Sequence, residues 1–164
     1  MASLPNPVPS LSQIRWRPLA AHDLPVVAQL EARIHAAPWS ERNFRDALSA
    51  GYSARVGLRG ERIVAYGVLM LAPGEAQLLN LSVVPDARRL GLGRALLRQF
   101  IANARDLRAE QVFLEVRVGN VGAISLYEAE AFVCVARRVA YYPPDRLTGA
   151  REDALVMRRD LDLR

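Results

Sequence analysis

Proline and glycine cut this chain into short segments, and the apolar residues inside them alternate between a two-residue period and one near 3.6. Segments of both kinds, interleaved along the chain, point to a mixed α/β architecture. Ile14 to Arg17 is expected as a first strand. Asp23 stands where it can cap a helix whose Leu24, Val27, Leu30 and Ile34 share one face. Ala37-Pro38-Trp39-Ser40 stops that helix before a second one, from about Glu41 to Ala50. Ser53 to Leu58 and Ile63 to Leu71 flank Arg59-Gly60-Glu61-Arg62, which reads as a hairpin turn. After Pro73-Gly74 comes a strand from Ala76 to Val84. Strict alternation puts Leu79, Leu81 and Val83 on one face and Leu78, Asn80, Ser82 and Val84 on the other, apolar on both sides as a central strand should be. Leu92, Ala95, Leu96 and Phe100 stripe a helix ending near Arg105. Strands are expected at Val112 to Val118, Val133 to Val139 and about Asp153 to Arg158, with a short helix from Val121 to Glu130.

At 164 residues, 51% of them hydrophobic, the chain can bury one ordinary core. A single domain over residues 14–164 is expected, preceded by a flexible leader, residues 1–13, that carries Pro5, Pro7 and Pro9 and reads as neither signal peptide nor membrane span. The expected setting is the cytoplasm, with no membrane partner and a monomer or weak dimer. Cys134 alone cannot close an internal disulfide, and with only His22 and His35 beside it no Cys/His zinc cluster assembles, so metal-free chemistry is expected. All 22 basic residues are arginine. The absence of lysine excludes a P-loop, a pyridoxal-phosphate enzyme and a Schiff-base aldolase, each of which needs a lysine amine. The net charge of +5 favours polyanionic partners such as cofactor phosphates or a ribosomal surface. It is too modest to establish nucleic-acid binding, and none is expected.

The strongest local signal is Arg88-Arg89-Leu90-Gly91-Leu92-Gly93-Arg94, between a buried strand and a helix. Without Cβ atoms, Gly91 and Gly93 let a pyrophosphate approach backbone N–H groups at the helix start, where the dipole favours an anion. An ordinary tight turn uses the same glycines. A dinucleotide fingerprint would need a third small residue where Leu96 stands.

The run Leu79-Asn80-Leu81-Ser82-Val83, then Pro85 and Arg88-x-x-Gly91-x-Gly93, resembles the acetyl-CoA-binding core of the GNAT N-acetyltransferase superfamily. The likeness extends from about Ile14 along nearly the whole chain. His35-Ala36-Ala37-Pro38-Trp39-Ser40-Glu41, Leu114-Glu115-Val116-Arg117, Asn120, Leu126-Tyr127-Glu128, Tyr141-Tyr142-Pro143 and Arg151-Glu152-Asp153-Ala154 resemble, in order and spacing, the bacterial ribosomal-protein-alanine N-acetyltransferase branch. The resemblance implies a mixed, mostly antiparallel sheet of about six to seven strands with about four helices and a splayed cofactor cleft. It implies that backbone groups of Leu81, Ser82 and Val83 pair with the pantetheine arm, and that Arg89, Leu90, Gly91, Gly93 and Arg94 hold the pyrophosphate. Asn120 would sit near the thiol, Glu115 act as general base and Tyr127 as general acid, while Trp39, Tyr141 and Tyr142 flank the acceptor groove.

The chemistry makes independent sense of those residue types. Direct transfer needs a neutral amine, a donor for the oxyanion and a proton for the departing thiolate. Glu115 can take the amine's proton and Tyr127 can serve the sulfur. Taken alone, a glutamate in that strand is an ordinary outward residue of an edge strand, and a tyrosine in that helix is ordinary packing. Covalent transfer through Cys134 is disfavoured, because it lies among valines without a neighbouring histidine, and inert packing is expected there. His22 is expected to be a helix-start surface residue and His35 a helix-end residue, neither of them a catalyst. An α-amino group, with a pKa of about 7.7–8.0, offers far more neutral nucleophile at neutral pH than a lysine amine near 10.4, which favours N-termini as acceptors. Acetylation of the N-terminal alanine of a small-subunit ribosomal protein is the leading expectation. A broad N-terminal, lysine or small-molecule acetyltransferase and a silent acyl-CoA-binding module remain open. The branch's usual glycines are replaced by Ala109 before the Glu115 strand and by Ala131 before Phe132, where a left-handed helix cap would fall.

Overall fold

The computed structural model describes residues 10–162; most of the expected leader lies outside the described residues, and Leu11–Gln13 forms a 3₁₀ turn. Among the described residues seven strands make one sheet in the order β1-β2-β3-β4-β5-β7-β6. They are β1 (Ile14–Pro18), β2 (Ser53–Arg59), β3 (Arg62–Ala72), β4 (Glu75–Val83), β5 (Gln111–Arg117), β6 (Val133–Arg138) and β7 (Ala154–Asp160). Four α-helices accompany them: α1 (Leu24–Ile34), α2 (Glu41–Ser49), α3 (Leu92–Asp106) and α4 (Val121–Ala129). Only β4 and β5 run parallel, joined through α3; every other pairing is antiparallel. None of the described helices is long and apolar enough to cross a membrane.

The sheet carries a core on each face. Leu69, Leu78, Leu96, Phe100, Leu114 and Met157 pack beneath α3 and α4. Leu24, Val27, Phe44, Val56, Tyr66 and Val68 pack beneath α1 and α2. The β2–β3 hairpin turns on two residues, with Arg59 facing Arg62 and Gly60 at φ +59°.

Strict alternation along β4 does not hold. Val68 pairs with Asn80 while Leu69 pairs with Leu78, so Leu79 is an extra residue, a β-bulge. Leu78 therefore packs under α3, whereas Asn80, two residues on, reaches Glu31 of α1. Leu79 and Leu81 likewise fall on opposite faces. The α1-side face beyond the bulge is polar, not apolar, with Asn80 and Ser82 both buried.

Three other expectations need correction. Asp23 does not cap α1; its carboxylate accepts the Ala20 N–H at 2.8 Å and the Arg17 guanidinium at 2.7 and 2.8 Å. Those charge-assisted bonds hold it below the usual carboxylate range. Cys134 is exposed instead of packed, because β6 is an edge strand whose outward residues no helix covers. β5, which bears Glu115, is not an edge, being flanked by β4 and β7.

The replaced glycines have different fates. At the end of α3 the left-handed residue is Arg108, φ +61°, so buried Ala109 is not asked to adopt that conformation. At the end of α4 the left-handed residue is Ala131, φ +66°. There the Phe132 N–H donates to the Tyr127 carbonyl at 2.9 Å and the Ala131 N–H to Glu128 at 3.0 Å. The Phe132 ring meets Tyr127 at 5.8 Å between centroids, completing a Schellman closure. Since Ala131 is exposed, Ala131→Gly removes the left-handed penalty without opening a cavity. The variant is expected to be more stable by about 0.5–1 kcal/mol in thermal or urea unfolding, and a lowered melting temperature would contradict this.

Candidate active site

β4 and β5 pair only from Glu75 with Gln111 to Leu78 with Leu114. At the Leu79 bulge β4 bends away, and the two strands splay, leaving the β5-facing edge of β4 without a strand partner from Leu79 to Val83. The opening is one cleft with two halves. The first is lined by Glu31, His35, Trp39, Glu115, Arg117 and Tyr142 among others. The second is lined by Ser82, Val83, Arg88, Arg89, Gly91 and Gly93 among others. His35, Leu81, Asn120 and Tyr127 line both and mark where the halves meet.

The second half suits a phosphorylated ligand. Gly91 is left-handed, φ +79°, and α3 begins after it with no side-chain cap, so its first-turn N–H groups are open to an anion. Arg89 precedes it, also left-handed at φ +62°. A Cβ on Gly93 would stand 3.4 Å from Leu126 and 3.7 Å from Val83, narrowing the gap between β4 and α4. Leu90 turns its side chain into the cluster around Val64 and Ala87, leaving only its backbone for the cleft. Arg94 lines this half while its Nε lies 3.3 Å from Glu130, a buried carboxylate that Arg98 also holds at 2.9 Å. Arg88 donates from Nε to the Val83 carbonyl at 3.2 Å and so ties the turn to the strand.

The first half is walled by aromatic residues. Trp39 packs on Phe44, ring centroids 5.1 Å apart, and donates its backbone N–H to Glu31 at 3.2 Å. Tyr142 lies under the Arg117 guanidinium, 4.0 Å from the ring centroid, and against Tyr141 at 5.3 Å. The Arg151 to Ala154 segment holds this loop. The Glu152 carbonyl accepts the N–H groups of Tyr141 and Tyr142, each at 3.1 Å, and its carboxylate accepts the Gly119 N–H at 2.8 Å. Asp153 accepts the Ala140 N–H at 2.8 Å and Arg137 at 2.7 Å, which keeps its carboxyl below the usual range. Tyr141 stands outside the lining, beside Glu115 and beneath Arg138, whose Cζ is 5.4 Å from its ring centroid. Glu115 faces the cleft with an ion-pair partner, Arg138, at 3.1 Å.

Tyr127 is buried on α4 at the meeting point. Its hydroxyl has no hydrogen-bond partner among the described residues, and burial, with the neighbouring Tyr142, pushes the phenol well above its ordinary value. It is therefore a hydrogen-bond donor throughout the neutral range. Asn120 caps α4, its Oδ1 accepting the Ala123 N–H at 3.3 Å, which leaves the amide nitrogen for a ligand.

The sequence reading missed a buried polar network at the floor of the first half. Glu31 accepts from the Tyr66 hydroxyl at 2.6 Å and from Asn80 Nδ2 at 3.1 Å; Ser82 Oγ donates to Asn80 Oδ1 at 3.0 Å and meets His35 Nε2 at 2.7 Å. Burial and the hydrogen bond to Glu31 drive the Tyr66 phenol upward, so that it remains a donor. The signal was present. Glu31 falls four residues after Val27 and seven after Leu24, a carboxylate in the middle of an apolar stripe.

The splayed parallel pair carries an uncapped, glycine-containing helix start at its mouth, and the model of the acetyltransferase (GNAT) family matches residues 14–132. The chain belongs to that family. It is 37% identical over 139 residues to the [ribosomal protein bS18]-alanine N-acetyltransferase of Escherichia coli K12, covering 85% of this chain and 92% of that one. It is 36% identical over 140 residues to the N-alpha-acetyltransferase RimI of Mycobacterium tuberculosis, covering 81% and 84%. The crystal structure of the ribosomal-protein-S18-alanine N-acetyltransferase from Escherichia coli superposes with a TM-score of 0.84 at 34% identity, over 92% of this chain and 96% of that one.

Proposed function

We propose that this acetyltransferase moves the acetyl group of acetyl-CoA directly to the α-amine of an N-terminal alanine, with ribosomal protein bS18 as the acceptor by analogy with its relatives. The observation that carries the reading is the meeting of a phosphate-suited half and an aromatic-walled half at His35, Leu81, Asn120 and Tyr127. The donor's pantetheine arm adds to the free edge of β4 at Leu81, Ser82 and Val83, main chain to main chain. Its pyrophosphate rests on the N–H groups from Arg89 to Arg94, with the Arg89 and Arg94 side chains adding charge. Asn120 holds the thiol end. The acceptor's backbone lies between Trp39 and Tyr142, with Tyr141 bracing Tyr142 from behind.

Glu115 then removes a proton from the acceptor nitrogen and Tyr127 supplies one to the departing sulfur. Glu115→Gln is expected to lower turnover at pH 7 by about tenfold, a modest loss for a general base because water in the open cleft can take the proton in its place. Acetyl-CoA affinity should be unchanged in calorimetry. Unaltered turnover would remove Glu115 from the mechanism.

The assignment itself is tested by intact-mass analysis of two peptides incubated with acetyl-CoA and the protein. One begins with free alanine followed by arginine; the other is blocked at its N-terminus and carries an internal lysine. A gain of about 42 Da, one acetyl group, is expected on the first peptide alone. Acetylation of the blocked peptide would point to a lysine or general amine acceptor, and no gain on either would point to a small-molecule acceptor or a silent binding module.

A further inference from the structure

His35 sits where the two halves of the cleft meet, at the end of α1, and its surroundings fix its protonation pattern. Asn80 turns its amide nitrogen toward Glu31 and donates one hydrogen there, so its Oδ1 takes the single hydroxyl hydrogen of Ser82. Ser82 Oγ can then only accept from His35, which makes Nε2 the protonated nitrogen at 2.7 Å. The Glu31 carboxylate stands 3.5 Å from the same nitrogen. In a neutral ring Nδ1 is thereby left as a lone pair, with no protein partner among the described residues, on a side chain 37% exposed to the cleft. A buried carboxylate and a hydroxyl behind one nitrogen, with the other nitrogen free, is the arrangement that orients an imidazole as a proton acceptor.

We infer that His35 is a second proton acceptor of the reaction and that Glu31 and Ser82 are its positioning residues. This rests on the proposed transfer to an α-amine. The acceptor nitrogen enters as an ammonium and leaves as an amide with one hydrogen, so it sheds two protons. Nδ1 of His35 takes the first and frees the lone pair that attacks the thioester carbon. As the C–N bond forms and the C–S bond breaks, Glu115 takes the second, and Tyr127 gives its own hydrogen to the sulfur. The proton on Glu115 restores Tyr127, and the proton on His35 passes to water from the exposed part of the ring. One proton is thus released per acetyl group transferred.

The ionisable groups facing His35 from the acceptor side are Glu115 and Arg117 on β5, Tyr127 on α4 and Tyr142 on the following loop. From the donor side they are Arg88, Arg89 and Arg94.

The test is the pH dependence of kcat/KM for an alanine-first peptide with the parent protein, His35→Gln and His35→Asn. Both variants are expected to be about tenfold slower near pH 6.5 and within about twofold of the parent near pH 9, where the free α-amine is already neutral. Glu31→Gln, which keeps an acceptor oxygen and loses the charge, should follow the same trend less steeply. Acetyl-CoA affinity should stay within about twofold for all three variants, since none of these groups is called on to hold the donor. A penalty independent of pH would reduce His35 to packing, and parent-like rates at every pH would remove it; either overturns the inference. A parent protein that acetylates no α-amine at any pH would instead overturn the acceptor assignment beneath it, an outcome separable because it shows in the parent alone.

Discussion

Tyr127→Phe is expected to lower turnover by about 100-fold while leaving folding stability within about 1 kcal/mol of the parent. The two halves of this expectation have separate physical origins. The hydroxyl has no protein partner among the described residues, so removing it leaves no orphaned donor or acceptor, and the Phe ring retains the contact with Phe132. In the proposed reaction the same hydroxyl, placed where the cleft halves join and held protonated by burial, is the donor that serves the sulfur. The developing thiolate then loses both its hydrogen-bond donor and its proton source, a loss of the size seen when one preorganised donor is deleted. Chemical unfolding and single-turnover acetylation, measured side by side, check both halves. Turnover within about threefold of the parent would assign sulfur protonation to water. A large loss of stability would mean that the hydroxyl is engaged in the folded protein.

Element order was legible because it rests on local periodicity. The stripe of Leu92, Leu96 and Phe100 and the runs on either side of Gly60 and Gly74 needed nothing beyond their own neighbours. The left-handed cap at Ala131 was legible for the same reason, lying one residue past the last turn of α4. What could not be read was set by tertiary partners. Nothing in Leu78-Leu79-Asn80 announces a bulge; it appears only when β3 supplies a register in which Leu69 and Val68 are consecutive and their partners are not. That one residue splays the cleft and also turns Asn80 toward α1. The network it joins spans Glu31 to Tyr66, 35 residues apart, and Glu31 to Asn80, 49 apart, so a carboxylate in the α1 stripe was visible by itself but its partners were not. The exposure of Cys134 had the same cause: a strand's place at the sheet edge is a property of topology, which the apolar neighbours Val133 and Val135 do not disclose.

The largest loss of stability is expected for Glu31→Ala. Glu31 is 2% exposed, and its carboxylate is the shared acceptor for the Tyr66 hydroxyl, the Asn80 amide and the Trp39 backbone N–H. Truncation would strand three donors beneath the cleft, with a void where the carboxylate stood. At a cost of about 1–3 kcal/mol for each buried donor left unpaired, partly relieved by water entering from the cleft, the net loss should be about 3–5 kcal/mol. For a chain of this size that is a melting point lower by on the order of 10 °C. Glu31→Gln should lose roughly half as much, because one oxygen still accepts while the new amide hydrogens confront donors. The ordering discriminates between explanations. If packing alone held α1 to the sheet, Glu31→Gln would match the parent and Glu31→Ala would cost about 1–2 kcal/mol for lost contacts. If the polar network holds it, both fall, Trp39 loses its tether, and the fluorescence of that residue, whose ring packs on Phe44, should change in the folded state before any unfolding begins.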